Sequence, residues 1–131
     1  MSELRGTVLL LGSEGIGRGD DTLGYEILLT PVESLSKRDD GPKAIVCRNT
    51  GVKLLAEGSP LVSHFKRLEA SGVDILAGQL CVRELELMGK IAVGTMATMG
   101  DILDVILHNS VISLWGITSS PVMDGKRGKA P

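Results

Sequence analysis

Five short and nearly continuous apolar runs, each about the length of a strand, dominate this 131-residue sequence. They lie at residues 7–11, 44–47, 73–77, 90–93 and 111–115. Continuous rather than alternating apolar strands are typical of a sheet that helices cover on both faces. Strands that alternate with helical segments favour parallel pairing through right-handed crossovers. The pattern therefore predicts an α/β fold, a three-layer α/β/α sandwich around a five-stranded parallel sheet, in one domain over residues 1–115.

Helical signals fill the segments between these strands. The first helix is predicted over residues 22–29, and Pro31 should end or kink it because proline lacks the N–H that a helix interior needs. Ser59 is a good N-cap and Pro60 suits a first helical position, so a second helix should begin there. Gly72 stands where that helix should end, because glycine readily adopts the left-handed conformation of a helix C-terminus.

Two further helices and a tail complete the predicted organisation. A short third helix is predicted over residues 82–87, directly after Cys81. Thr98 as N-cap, with Asp101 three residues later, indicates the start of a fourth helix. Residues 116–131 have no hydrophobic periodicity and are rich in serine, glycine and proline, which predicts a flexible C-terminal tail.

The charge pattern and the length of the apolar runs exclude two kinds of partner. The formal net charge is −2 and aromatic residues do not interleave with cationic ones, so we expect no nucleic acid. The apolar runs fall well short of the roughly 20 residues of a membrane helix, so we expect no membrane. The N-terminus shows no signal-peptide pattern, which leaves the cytoplasm as the expected location.

The two cysteines, Cys47 and Cys81, differ in their expected position. In an open parallel sheet, ligands bind outside the carboxyl ends of the strands. These ends correspond here to four loops, at residues 12–19, 48–51, 78–81 and 94–98. Cys81 belongs to the third loop, whereas Cys47 lies in a strand, where a thiol acts as a small hydrophobic side chain. Their number and spacing fit neither a disulfide scaffold nor a zinc or CxxC motif.

Cys81 is the strongest candidate for chemistry in the sequence. At the start of a helix, unpaired backbone N–H groups favour a thiolate, which is the reactive form of cysteine. A thiolate can attack sulfur and can hold a transferred sulfur as a persulfide. Arg83 and Lys53 would add positive potential, whereas Glu84 and Glu86 would oppose it. The alternative interpretation is an inert thiol that fills a gap in the core.

The glycine-rich loop at residues 12–19 has the composition of a phosphate cradle without its motif. It lacks the Gly-Lys-Ser/Thr of a Walker A sequence, and it has Gly-x-Gly-x-Gly in place of the dinucleotide fingerprint. Asp20 and Asp21 would repel a phosphate from the start of the following helix. We therefore expect this loop to rim a cleft, and nucleotide or flavin binding is the weakest of the alternatives.

Two other groups of polar residues have less specific interpretations. Asn49, Thr50 and Gly51 form a turn at the end of the second strand, where they either orient a substrate or satisfy loop backbone groups. The sequence leaves both of these interpretations open. His64 and His108 have no partner at metal-ligand spacing, so we expect no metal, no cofactor and no catalytic histidine.

Several short motifs, in order along the chain, resemble those of a known family. They are TVLLLGSEGIG at residues 7–17, GDD at 19–21, NTGVKL at 49–54, EGS at 57–59, GVDIL at 72–76, AVG at 92–94 and MGDI at 99–102. On these motifs the chain resembles the DsrE-like (DsrE/DsrF) family, and most closely the C-terminal domain of YedF-type proteins of sulfur or selenium metabolism. The resemblance extends over roughly residues 7–115.

The resemblance implies a fold, an assembly and an activity. It implies a five-stranded parallel α/β/α fold that commonly forms homo-oligomers. It also implies the handling of sulfane sulfur by a carrier cysteine after the third strand, with which Cys81 aligns. The residues expected to line the substrate cleft around it are Gly12, Ser13, Gly15, Gly17, Asn49, Thr50 and Gly51.

The chain also departs from the YedF-type pattern. Those proteins often have a second cysteine at the position of Gly78 and an aromatic residue at the position of Gly100. Their small N-terminal sulfur-carrier domain, of the TusA kind, is not part of this sequence. With glycine and not cysteine at position 78, a two-cysteine mechanism within the loop is excluded. Without the carrier domain in this sequence, we expect a separate sulfur donor or acceptor protein, such as a TusA-like carrier.

Two hypotheses from different classes follow from the sequence. In the first, the protein is a sulfurtransferase-like carrier in which Cys81 accepts sulfane sulfur and passes it on as a persulfide. In the second, the protein is a non-catalytic, oligomeric module that binds a small anion or a partner in the same cleft. The reactivity of the Cys81 thiol separates them, because a carrier cysteine must react faster than a free reference thiol.

Overall fold

A computed structural model describes residues 6–15, 20–38 and 40–114 of the chain. Five strands form one sheet: β1 (Thr7–Leu11), β2 (Ala44–Cys47), β3 (Asp74–Gly78), β4 (Thr95–Ala97) and β5 (Ser110–Leu114). Their order across the sheet is β4-β3-β2-β1-β5, and every neighbouring pair is parallel. The five-stranded parallel sheet predicted from the sequence is confirmed. The predicted tail at residues 116–131 lies outside the described residues.

In the described residues, four α-helices and one 3₁₀ helix cover the two faces of this sheet. The α-helices are α1 (Asp21–Ser36), α2 (Val62–Ala70), α3 (Gln79–Glu84) and α4 (Met99–Leu107), and the 3₁₀ helix spans Asn49–Leu55. The fold is therefore the expected α/β/α arrangement. Among the described helices, none is long and apolar enough to cross a membrane.

The larger core lies on the face that α1, α2 and the 3₁₀ helix cover. Leu9, Ile45 and Ile75 project from the three central strands into this core, where Leu28 of α1 and Phe65 of α2 meet them. All five side chains are buried. With so few aromatic residues, the core is built mainly from leucine, isoleucine and valine, as the composition requires.

The opposite face has a smaller core under α4. Val8 and Val46 project from β1 and β2 toward Ile102 of α4, and Ala97 of β4 completes the buried cluster. Thr98 caps α4 as predicted, because its hydroxyl accepts a hydrogen bond from the Asp101 N–H while the Asp101 carboxylate accepts one from the Thr98 N–H. This reciprocal cap fixes the start of α4 directly after β4.

The predicted fourth strand at residues 90–93 is wrong, since β4 is formed by Thr95–Ala97. The earlier segment turns toward the 3₁₀ helix instead: Ile91 forms an isolated antiparallel bridge with Ala56, and the Ala92 N–H donates to the Leu55 carbonyl. The chain then turns at Gly94, whose φ of +92° suits glycine, before β4 joins the sheet. Of the predicted fourth strand-end loop at residues 94–98, only Thr98 follows β4. Gly94 precedes the strand, and residues 95–97 form it.

Three predicted helix starts or ends are also corrected. Helix α1 continues through Pro31 to Ser36, because the packing of Leu28 and Val32, both buried in the larger core on either side of Pro31, outweighs the one hydrogen bond that proline cannot donate. Helix α2 begins at Val62, since the Ser59 hydroxyl caps the preceding turn by accepting from the Leu61 N–H at 3.2 Å. Helix α3 begins at Gln79 and ends at Glu84, earlier at both ends than predicted.

Candidate functional site

The carboxyl ends of β1, β2 and β3 meet in a compact cluster of loops. The Arg48 N–H, just after β2, donates to the Leu11 carbonyl at the end of β1 with an N–O distance of 3.0 Å. The chain then enters the 3₁₀ helix at Asn49, while β3 passes directly into α3. The described residues of the first three strand-end loops predicted from the sequence therefore lie side by side, and Cys81 projects among them.

Cys81 is the third residue of α3 and not the residue before it. The prediction differed because β3 runs straight into the helix at Gly78, which is both the last residue of the strand and the N-cap. The Cys81 side chain is half-buried and packs against the larger core. Its Sγ accepts a hydrogen bond from the backbone N–H of Asn49, with an N–S distance of 3.0 Å.

The Asn49 N–H can donate to Cys81 Sγ because Asn49 begins the 3₁₀ helix. Asn49 is the first residue of that helix, and the first N–H groups of a helix have no partner within it. Its φ of +53° lies in the left-handed region, which asparagine tolerates better than most residues. The backbone of Asn49 is thus oriented so that its N–H meets the sulfur of a residue 32 positions further along the chain.

Gly51 holds the loop after β2 against the end of β1. A β-carbon at this position would lie 2.6 Å from the Leu11 carbonyl oxygen and 3.4 Å from the Ser13 nitrogen. Such contacts leave no room for a side chain, so only glycine fits without a shift of the backbone. Gly51 thus has a packing role at the end of β1, and a role of this turn in orienting a substrate stays a prediction.

Gly78 borders the sulfur of Cys81 on another side. A β-carbon at Gly78 would lie 3.4 Å from Cys81 Sγ and 3.7 Å from the Cys47 carbonyl oxygen, both ordinary contact distances. The φ of Gly78 is −60°, which any residue adopts. Neither the backbone nor the packing requires glycine here, and its absent side chain leaves one flank of the sulfur uncovered. No signal in the sequence indicates that Gly78 lies beside the sulfur.

The cations expected near Cys81 are paired with carboxylates. Lys53 Nζ lies 3.7 Å from a Glu14 carboxylate oxygen, and Arg83 Nε lies 3.7 Å from one of Glu84. All four side chains are exposed, so each pair contributes little to stability. The polar group that directly contacts the sulfur is the Asn49 N–H.

Cys47 is a core residue, as its position in a strand predicted. It is fully buried between neighbouring strands, and burial raises the pKa of its thiol to about 12. A thiol in this state stays protonated and closed to solvent at neutral pH. Of the two cysteines, only Cys81 can meet a substrate.

The other residues predicted to line the cleft occupy different surroundings. Gly12 borders open space, and Thr50 is half-buried at the start of the 3₁₀ helix. The Ser13 hydroxyl donates to the Gly15 carbonyl and accepts from the Gly15 N–H, so it is engaged within its own loop. Gly15 packs against the backbone of α1. Gly17 lies outside the described residues.

The start of α1 is already occupied by a carboxylate. Asp20 is the N-cap, and its side chain accepts from the Leu23 N–H at 2.9 Å. A carboxylate that caps the helix N-terminus repels a phosphate from the place where one would bind. The Asp20 cap therefore opposes phosphate binding at the start of α1, and the interpretation of the glycine-rich loop as the rim of a cleft stays a prediction.

Tyr25 of α1 is a residue near the loop of Gly15 that the sequence did not single out. Its hydroxyl is buried and has no hydrogen-bond partner, alone among the buried side-chain N and O atoms of the described residues. Burial, and to a smaller degree the carboxylate of Glu14, raises the pKa of Tyr25 above its ordinary value. No sequence signal marks this residue, because its environment depends on how the loop packs on α1.

Metal binding finds no support in the part of the chain that the structure describes. It contains no group of three or more histidine, cysteine, aspartate or glutamate side chains that could hold an ion. His64 lies 3.4 Å from the Ser36 hydroxyl, and His108 Nδ1 lies 2.6 Å from the Asp104 carbonyl. His64 thus contacts α1, and His108 contacts the last turn of α4. Neither contact involves Cys81.

Comparison with known proteins identifies the fold. No family model and no curated protein matches the chain. Among solved structures, BT1422, a conserved protein of unknown function from Bacteroides thetaiotaomicron, has a TM-score of 0.58 and 18% identity and covers 82% of this chain and 94% of its own. MTH1491, a protein of unknown function from Methanobacterium thermoautotrophicum, has a TM-score of 0.58, 17% identity and coverages of 82% and 96%. The YchN protein of E. coli has a TM-score of 0.56, 14% identity and coverages of 83% and 98%. At these identities the likeness establishes the fold alone.

Proposed function

We propose that this protein is a sulfurtransferase-like sulfur carrier of the DsrE-like family, with Cys81 as the carrier residue. The Cys81 thiolate attacks the outer sulfur of a partner's persulfide, R–S–SH. A new S–S bond forms at Cys81 Sγ, the S–S bond of the donor breaks, and the donor leaves as the thiolate R–S⁻. Attack by an acceptor thiolate on the outer sulfur then releases Cys81 again. The exchange needs neither an oxidant nor a reductant.

The observation that carries this proposal is the hydrogen bond from the Asn49 N–H to Cys81 Sγ at 3.0 Å. A backbone donor at this distance stabilises negative charge on Sγ, which is the charge of the attacking Cys81 thiolate and of the Cys81 thiolate that leaves when an acceptor takes the outer sulfur. The same donor is fixed in place by the packing of Gly51 against Leu11 and needs no rearrangement to act. A preorganised donor is how proteins stabilise developing anions.

The surroundings of Cys81 support transfer between molecules. Cys47 is fully buried, and the position three residues before Cys81 is Gly78, so no second thiol of the described residues can resolve a Cys81 persulfide. The sulfur must therefore pass to a thiol supplied by another protein, for which a TusA-like carrier is our candidate. Exchange of this kind needs free thiols, which supports a reducing compartment such as the cytoplasm.

Persulfide loading tests the proposal. Purified protein is incubated with a small-molecule persulfide donor, and intact-mass and peptide mass spectrometry locate the added sulfur. We expect one extra sulfur atom on the wild type, carried by the peptide that contains Cys81, and none on Cys81→Ser. Cys47→Ala is the matched control and should load as the wild type does. Equal loading of Cys81→Ser and wild type would rule the carrier function out.

The alternative is a non-catalytic module that binds a small anion or a partner in this cleft. The half-burial of Cys81, which slows the reaction of its thiol, is the observation that favours it. The rate of alkylation at neutral pH decides between the two functions, with a free small-molecule thiol as the reference. A carrier requires Cys81 to react faster than the reference, whereas the binding module predicts a slower reaction.

A further inference from the structure

Arg48 is the residue directly after β2, and it lies beside the candidate site. Cys47 pairs with Ala77 in the sheet, so Arg48 and Gly78 are neighbours one position further along. A β-carbon at Gly78 would lie 3.8 Å from the Arg48 β-carbon and 3.4 Å from Cys81 Sγ. Arg48 and the sulfur therefore border the same position, which the missing side chain of Gly78 leaves uncovered.

The backbone of Arg48 is held on both sides, whereas its side chain is exposed. The Arg48 N–H donates to the Leu11 carbonyl at 3.0 Å, and the Arg48 carbonyl accepts from the Gly51 N–H at 3.0 Å. The next residue, Asn49, donates its own N–H to Cys81 Sγ. The base of the Arg48 side chain is thus fixed relative to the sulfur, while its guanidinium is open to solvent and to a ligand.

The charge of Arg48 is not compensated within the part of the chain that the structure describes. Lys53 and Arg83, the two other cations of these loops and helices discussed above, each lie 3.7 Å from a carboxylate oxygen. No described carboxylate lies within ion-pair distance of Arg48. A guanidinium stays protonated at every physiological pH. Arg48 therefore places a positive charge at the open flank of the sulfur.

The chemistry of this group selects its ligand. The guanidinium is a planar fork of N–H donors that matches the two oxygens of a carboxylate. Aspartate and glutamate are the carboxylates that a donor protein carries in its side chains. A donor with such a residue beside its persulfide can bind Arg48 through the carboxylate while its outer sulfur meets Cys81.

We propose that Arg48 binds an acidic side chain of the sulfur donor, and so selects donors in which an aspartate or glutamate lies next to the persulfidated cysteine. This inference rests on the proposed function and adds the chemistry of the partner to it. Arg48 takes no part in the exchange of S–S bonds, which proceeds at Cys81 as before. It is a specificity-determining residue, and exposed charges of this kind act mainly on the rate of association.

Alkylation of Cys81 by two matched reagents tests carboxylate recognition without any transfer of sulfur. Iodoacetate carries a carboxylate, and iodoacetamide is a neutral reagent of nearly the same size. The ratio of the iodoacetate rate to the iodoacetamide rate should be about two- to fivefold higher for the wild type than for Arg48→Gln, which is the range of an exposed ion pair. Arg48→Lys should restore part of the ratio, and about 1 M salt should abolish the difference.

Arg83→Gln and Lys53→Gln are the matched controls, because each also removes one positive charge. Both cations are already paired with carboxylates, so their replacement should lower the ratio less than Arg48→Gln does. The rate with iodoacetamide alone should be similar in the wild type and Arg48→Gln, since the Asn49 donor is unchanged. A structural role of Arg48 would instead alter the rates of both reagents. Circular dichroism confirms that each variant is folded.

Persulfide loading then tests the chemistry of the donor. Three peptide persulfides of equal length carry aspartate, asparagine or lysine beside the persulfidated cysteine, and mass spectrometry follows the added sulfur on Cys81. We expect the wild type to load about two- to fivefold faster from the aspartate peptide than from the asparagine peptide, and slowest from the lysine peptide. The ratio of wild-type rate to Arg48→Gln rate should follow the same order, which corrects for the intrinsic reactivity of each peptide.

The outcomes separate this inference from the proposed function. An alkylation ratio that is equal in the wild type and Arg48→Gln, or that Arg83→Gln lowers as much, would exclude Arg48 as the carboxylate-binding residue. Loading of Cys81 with the same wild-type to Arg48→Gln ratio for all three peptides would overturn the selection of acidic donors and leave the carrier function standing. Absence of loading from every peptide would overturn the carrier function itself, whatever the alkylation ratio.

Discussion

A β-carbon on Gly51 would lie 2.6 Å from the carbonyl oxygen of Leu11. That oxygen also accepts the hydrogen bond of the Arg48 N–H, so it joins the end of β1 to the chain that leaves β2. The close approach fixes the first turn of the 3₁₀ helix, and with it the direction of the Asn49 N–H toward Cys81 Sγ. The environment of the candidate carrier cysteine thus depends on a glycine that does not touch the sulfur.

Replacing Gly51 by alanine should therefore affect both stability and the thiol. The added methyl group forces the 3₁₀ helix away from β1, and we expect a loss of about 1–3 kcal/mol in the free energy of unfolding. We also expect slower alkylation of Cys81, because the shift moves the Asn49 N–H away from the sulfur. Urea unfolding and alkylation kinetics measure the two effects.

Gly12→Ala is the matched control for this substitution. Gly12 lies in the neighbouring loop, and no atom lies within 4 Å of a β-carbon built on it. Its replacement should change stability by no more than about 0.5 kcal/mol. Equal unfolding midpoints for the two variants would contradict the close contact at Gly51.

A cysteine at Gly78 should form a disulfide bond with Cys81. The β-carbon at position 78 would lie 3.4 Å from Cys81 Sγ, at a backbone conformation open to any residue, so a second sulfur can be placed within bonding reach. We expect Gly78→Cys to lose two hydrogen atoms in mass on mild oxidation and to lose the alkylation of Cys81. Gly12→Cys, which faces open space, should keep Cys81 free. A free Cys81 in oxidised Gly78→Cys would show that the two side chains diverge.

Much of the fold could be predicted because β1 and β2 are nearly continuous apolar runs, bounded by glycines in the case of β1 and by Lys43 and Arg48 in the case of β2. β4 could not be predicted in the same way. Thr95–Ala97 is short and half exposed, whereas the more apolar segment before it pairs with the end of the 3₁₀ helix at Ala56. Local hydrophobicity favours the wrong segment, and only the tertiary pairing distinguishes the two.

The candidate site was predictable in its location but not in its contacts. The position of Cys81 after β3 follows from the strand-end rule, which needs only the strand order along the chain. Its hydrogen bond from Asn49 depends on a non-glycine residue at positive φ and on the contact of the 3₁₀ helix with α3, between residues separated by 32 positions. Neither leaves a signal in the local sequence pattern, since both arise from how the 3₁₀ helix packs against β1 and α3.

Tyr25→Phe should not destabilise the protein. The Tyr25 hydroxyl is buried without a hydrogen-bond partner, so its removal relieves the cost of desolvating a polar group. We expect a free energy of unfolding equal to that of the wild type or higher by up to about 1 kcal/mol. Thermal or urea unfolding provides the measurement.

Ser36→Ala is the opposite case and serves as the comparison. The Ser36 hydroxyl is also buried, but it donates to the Glu33 carbonyl at 2.7 Å and lies 3.4 Å from His64. Its loss should cost about 1 kcal/mol. A larger loss for Tyr25→Phe than for Ser36→Ala would mean that the tyrosine hydroxyl has a bonding partner in solution.

The buried thiol of Cys47 should make stability fall with rising pH in the alkaline range. Its pKa is about 12 in the folded protein, against 9.0 for an ordinary cysteine thiol. Below the lower value both states hold the proton and the group has no effect. Between the two values the unfolded chain releases a proton that the folded chain retains, so the free energy of unfolding decreases by about 1.4 kcal/mol per pH unit.

Cys47→Ala removes this contribution, so urea unfolding from about pH 9 upward should give a shallower decline for the variant than for the wild type. Parallel declines would show that the Cys47 thiol ionises as readily in the folded protein as in the unfolded chain.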